Sequence, residues 1–93
     1  MQVEVVALKK KLEEDVEKLQ KKLESKGIRV KVSSKRVSQK HEAMAIAKES
    51  HSTYFLALSE EDKGYLLRQS SKKFETIELK EFIKCVLKDA KKS

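Results

Sequence analysis

The chain has no proline, no tryptophan, two glycines and a single cysteine in 93 residues. Gly27 and Gly64 stand alone, which excludes a glycine-rich phosphate loop. One thiol, Cys85, cannot build a disulfide framework or a zinc site, and points to a reducing, intracellular setting. No apolar run is long enough to span a bilayer, and the N-terminus lacks the apolar core of a signal peptide. A soluble cytoplasmic protein with no membrane partner is expected. His41 and His51 have no spaced cysteine or carboxylate companions, so neither a metal nor a cofactor is expected. His41 reads as a helix-start residue and Cys85 as a structural thiol. No nucleophile, base and orienting group converge in the sequence, so the chain reads as a non-enzyme.

Acids are also missing locally. None lies between Glu24 and Glu42, where Lys26, Arg29, Lys31, Lys35, Arg36 and Lys40 fall, and none lies between Asp62 and Glu75, where Lys63, Arg68, Lys72 and Lys73 fall. The last ten residues set Lys84, Lys88, Lys91 and Lys92 against Asp89 alone, while Glu60, Glu61 and Asp62 cluster. The net charge is +7 and 40% of residues are charged. Basic blocks of this kind mark either a nucleic-acid footprint or the solvated surface of a lysine-rich protein. The lysine and glutamate excess is compatible with a thermophilic source.

What is present is periodic, so the chain is folded rather than disordered. Val5, Leu8, Leu12, Val16, Leu19 and Leu23 recur at three- and four-residue spacing, which predicts one long amphipathic helix over 3–26, stopped by Gly27. The alternation in "QVEVVAL" also fits a strand at its start. "IRVKV" (28–32) alternates strictly and predicts a strand. A helix over 38–49 follows, with Ser38 as its cap. "TYFLAL" (53–58) and "YLLRQ" (65–69) flank a turn holding Asp62, Lys63 and Gly64, a hairpin. A last helix starts near Thr76 and buries Leu79, Phe82, Ile83, Val86, Leu87 and Ala90. The expected fold is α+β, one small domain over 1–93. It has the order α-β-α-β-β-α and a three-stranded mixed sheet, with residues 28–90 as the β-α-β-β-α unit.

That topology makes the first two predicted strands parallel and the third antiparallel. The exits "SSKR" and "SSKK" then leave from opposite ends of the sheet, roughly 20 Å apart. The last helix is expected to carry Lys88, Lys91 and Lys92 toward the first exit, and Lys21, Lys22 and Lys26 lie near the second. Lys35, Arg36, Lys40, Arg68, Lys72, Lys73, Lys88 and Lys91 are the candidate nucleic-acid contacts. They would act on phosphates without reading sequence, with Ser33, Ser34, Ser70 and Ser71 adding hydroxyls. Tyr54 and Tyr65 either offer stacking faces beside the hairpin or pack into the core.

A charged helix, then "KGIRVKV", a helix, "YFLALSEEDKGYLLRQSSK" and "IELKEFIKCVLK" resembles the C-terminal, DHH-associated domain of alanyl-tRNA synthetases. The glycine run and Arg-Pro segment of that family are absent. The resemblance implies RNA contact, tRNA above all, and helix-mediated dimerisation. The order is also similar to the small Pcc-type, non-catalytic dimerising subunits of the archaeal KEOPS complex. Two functions are therefore expected in competition. One is an accessory protein contacting RNA through basic ends. The other is an interaction subunit, homodimeric or bound to a protein partner through the first helix or a sheet edge, with no nucleic-acid contact.

Overall fold

The computed structural model describes residues 2–33, 37, 39–70 and 73–92. The chain runs through β1 (Gln2–Ala7), a 3-10 turn (Lys10–Leu12), α1 (Glu13–Glu24) and β2 (Arg29–Val32). It continues through α2 (Lys40–Glu49), β3 (Tyr54–Leu58), β4 (Lys63–Arg68), β5 (Phe74–Glu78) and α3 (Leu79–Lys92). The fold is a small α+β unit with a five-stranded mixed sheet and three helices, not the expected three-stranded sheet behind one long helix.

Two segments account for the difference. Residues 2–7 are a strand because Val3, Val5 and Val6 are β-branched and pack well on a pleated surface. Helices cover both sides of β1, so both of its faces are buried and the even-odd signal is blurred. The apolar stripe is helical only from Glu13, where Val16, Leu19 and Leu23 face inward. Residues 74–78 form the edge strand β5, and the last helix begins at Leu79 rather than near Thr76.

The sheet order is β2-β1-β3-β4-β5, with β1 parallel to both β2 and β3, and β4 antiparallel to β3 and β5. The crossover from β1 moves one way along the sheet and the crossover from β2 moves back. Crossovers of one hand must then place their helices on opposite faces. Accordingly, Val16, Leu19 and Leu23 of α1 and Phe82 and Val86 of α3 pack with Val3, Val5, Val30, Tyr54, Leu56 and Leu66. On the other face Ala43 and Ala47 of α2 pack with Val6, Phe55 and Ala57. β3 lies between the two layers, and all five of its residues are buried.

The turn from α1 into β2 follows the glycine rule. Gly27 has φ 83°, its N–H donates to the Glu24 carbonyl at 3.0 Å, and the Ile28 N–H donates to the Leu23 carbonyl at 3.1 Å. This left-handed reversal caps the last carbonyls of α1 and aims the chain into β2. At the other end of the sheet the Leu79 N–H donates to the Asp62 carbonyl at 2.7 Å, tying the start of α3 to the β3–β4 hairpin.

Two ends of the sheet follow from this topology. At the upper end β1, β2, β3 and β5 finish and all three helices start. At the lower end those strands begin, β4 finishes and all three helices run out.

Candidate nucleic-acid interface

Of the candidate contacts among the described residues, Arg68, Lys73, Lys88 and Lys91 fall at the lower end, and Lys40 opens α2 at the upper end. β5 reverses the chain before α3 starts, so α3 begins at the upper end and carries Lys88 and Lys91 down, away from the "SSKR" exit. Arg68 at the end of β4 marks the same end, its Nη2 donating to Cys85 Sγ at 3.6 Å. Lys73, just before β5, is exposed there too, as are Lys88 and Lys91. α3 is about 21 Å long, while the five-residue strand it retraces spans about 17 Å, so its last turn sits at or past the sheet edge. Lys21 and Lys22 close α1, Lys26 and Arg29 follow it, and Lys48 closes α2. The lysines closing these helices also complement the negative ends of the helix dipoles.

The upper end is mixed. Lys9, Lys10, Lys11 and Lys63 alternate there with Glu13, Glu14, Asp15, Glu60, Glu61 and Asp62. Lys63 Nζ lies 3.5 Å from Glu60 Oε2 in an exposed pair, an arrangement that contributes little to stability. Lys35, Arg36 and Lys72, with Ser34, Ser38 and Ser71, lie outside the described residues.

The aromatics divide. Tyr54 is 4% exposed and meets Phe82 edge-on at 6.3 Å, so it belongs to the core and offers no stacking face. Tyr65 is half-buried on the α2 face. Lys40 Nζ sits 4.6 Å from the centre of its ring, and Phe74 meets it edge-on at 5.8 Å. Lys40 is thus joined by an aromatic strip to the lower end rather than standing apart from it.

Below that strip the α2 face opens into a cavity of about 410 Å³. Phe55, Leu67 and Phe74 form its floor, and Lys48, Ser50, His51, Arg68 and Gln69 line it. The floor is one cross-strand row, since Phe55 pairs with Leu67 and Leu67 with Phe74. An apolar floor beneath cations and hydroxyls can take an unstacked base while its phosphates meet lysines. Sequence reading missed Lys48, His51 and Gln69. A lone histidine or glutamine carries no periodic signal, and only the turn from α2 into β3 brings Lys48 and His51 to Gln69 and the start of β5. The one available cue was Phe74 directly after "SSKK".

Among the described residues no group of three or more His, Cys, Asp or Glu could hold a metal ion. Among them, too, no helix is long and apolar enough to cross a membrane.

No protein-family model matches the chain, and no curated protein matches it. Among solved structures it is similar to histidyl-tRNA synthetase from Nostoc sp. PCC 7120, at 20% identity and a TM-score of 0.66. The alignment covers 91% of this chain and 22% of the synthetase, so the chain spans about a fifth of that protein's length. The element order had pointed to the DHH-associated domain of alanyl-tRNA synthetases. The likeness found is instead to part of a histidyl enzyme, and what the two chains share is a fold seen in an aminoacyl-tRNA synthetase.

Proposed function

We propose that the chain is a non-catalytic RNA-contacting module that binds tRNA through its lower end. One observation carries the reading. The ends of α2 and α3 and the β4–β5 turn bring Lys48, Arg68, Lys73, Lys88 and Lys91 to one end of the sheet, where the α2 face holds a groove floored by Phe55, Leu67 and Phe74. Cations of this density favour a polyanion, and an apolar floor favours one with unpaired bases. The fold likeness to a tRNA synthetase supports tRNA as the first ligand to test. A cytoplasmic setting goes with this reading.

Gel retardation of tRNA and of single-stranded RNA, with light scattering on the same sample, tests it. Retardation that weakens steeply with added salt is expected, and no retardation at low salt overturns the reading.

The rival function, an interaction subunit without RNA contact, has one observation in its favour. β2 and β5 are edge strands, and each has an edge to which no other strand is paired among the described residues. Such edges accept a strand from another chain. The scattering measurement separates the two readings, because a stable dimer that binds no RNA favours the rival.

A further inference from the structure

The row that floors the groove continues across the sheet and changes character. Phe55 pairs with Glu4 of β1, and Glu4 pairs with Lys31 of β2. All five residues, Lys31, Glu4, Phe55, Leu67 and Phe74, point to the α2 face. Above the polar half lies a second cavity of about 380 Å³, lined by Glu4, Lys31, Gln2, Ser33, Ile46 and the Glu49–Ser52 turn. Ser50, His51 and Ser52 line both cavities and stand between them.

Glu4 is anomalous. It is 7% exposed on the interior strand β1. Its one hydrogen bond among the described residues is a long one, from Ser50 Oγ to Oε1 at 3.4 Å. The Ser50 hydroxyl is itself oriented, because it accepts from the Ser52 N–H at 3.2 Å. Lys31 stands directly across the strands, yet among the described residues no ion pair joins it to Glu4. A buried carboxylate is costly unless donors meet both of its oxygens. This one is held from one side only, with a cavity above it.

We propose that this cavity reads an unpaired guanine, an inference that rests on the RNA contact proposed above. A carboxylate with free lone pairs wants two adjacent N–H donors. Of the four bases only guanine presents two on its Watson–Crick edge, N1–H and the N2 amine. The same edge carries O6, an acceptor, beside them. Lys31, one strand away from Glu4, supplies the matching donor. The lysine also turns away the other common partner of a carboxylate, a guanidinium, because like charges repel at cross-strand distance. His51, at the shared wall, offers a ring against which the base stacks. The neighbouring base then lies on the Phe55–Phe74 floor, and the phosphates follow the lysines of the lower end.

Fluorescence anisotropy with short single-stranded RNAs, identical except for one central base, tests the inference. The wild-type chain binds the guanine oligomer at least roughly tenfold tighter than the adenine one. Inosine, which lacks the N2 amine, falls between. Glu4→Gln, checked for fold by circular dichroism, removes the guanine preference and keeps the salt dependence. Lys31→Met reduces the preference. Equal binding of the guanine and adenine oligomers by the wild type, which needs no variant, overturns the inference and leaves RNA contact standing. A preference that persists in Glu4→Gln overturns it as well. If no oligomer binds at low salt, the inference and the RNA reading fall together.

Discussion

Gly64 has no room for a side chain. A Cβ there would lie 2.4 Å from the Ala57 carbonyl oxygen and 3.0 Å from the Leu58 Cα, both backbone atoms of the paired strand. Neither can swing aside as a side chain would, so Gly64→Ala must push β3 and β4 apart. The expected cost is about 1–3 kcal/mol, read as a lower urea midpoint at unchanged slope. Phe82 is the opposite case, a large ring fully buried and edge-on to Tyr54. Phe82→Ala leaves a cavity beneath α3, and equilibrium unfolding should show a loss of about 3–5 kcal/mol. Gly64 read from the sequence as a turn residue. It is the second residue of β4, and close approach between strands, not positive φ, requires it.

At the scale of the element, α1 bears on the question of dimerisation. Its stripe covers the chain's own sheet, with Val16, Leu19 and Leu23 at 3% exposure or less. Gln20 Nε2 also donates to the Val30 carbonyl at 3.3 Å. A helix used in this way has no apolar stripe left for a second copy. Leu19→Asp should therefore unfold the chain, at a cost of at least about 3 kcal/mol. Circular dichroism should record loss of structure, where a coiled-coil dimer would give a folded monomer.

The elements that were legible in the sequence are those whose burial has one clean period. The three-and-four spacing of Val16, Leu19 and Leu23, the alternation of "IRVKV" and the hairpin around Asp62–Gly64 all correspond to observed elements. β1 and β5 were less legible, for different reasons. "QVEVVAL" alternates enough to fit a strand, but β1 is buried on both faces, and Val5 and Leu8 also fit the three-and-four spacing of the helix that follows. β5 is an edge strand in which Phe74 and Ile77 are half-buried, and a spacing of three imitates the first turn of the helix that follows. Missing β5 reversed the placement of α3, and that error moved Lys88 and Lys91 to the wrong end. The candidate site inherits this pattern. Its lysines were visible as charge blocks, but the groove between α2, β4 and β5 exists only through long-range pairing.

Taken as a whole, the molecule measures 33 × 27 × 21 Å, and among the described residues lysine and arginine outnumber the acids at the lower end of the sheet. Neutralising that end should act differently from neutralising the other. If the RNA reading holds, each of Lys73→Gln, Lys88→Gln and Lys91→Gln should lower the slope of log affinity against log salt by roughly 0.7 to 0.9. Lys9→Gln, Lys10→Gln and Lys11→Gln at the upper end should leave the slope almost unchanged. A salt titration of tRNA binding across the six variants distinguishes an oriented contact from general attraction to a cationic protein.

The interior position of β1 has a consequence in time as well as in space. The first strand of the chain is paired on both sides, and its partner Tyr54 lies about fifty residues further on. A chain growing from its N-terminus cannot complete that pairing until β3 has emerged, and α1 meanwhile has no finished sheet to cover. β3, β4 and β5 are neighbours both in sequence and in the sheet, so their meander can form from local contacts alone. Closing loops of this length slows folding relative to a helical bundle of the same size. The β3–β4–β5 meander is therefore expected to pair before β1 joins β3, and φ-values higher in the meander than at the β1–β3 contact would record that order.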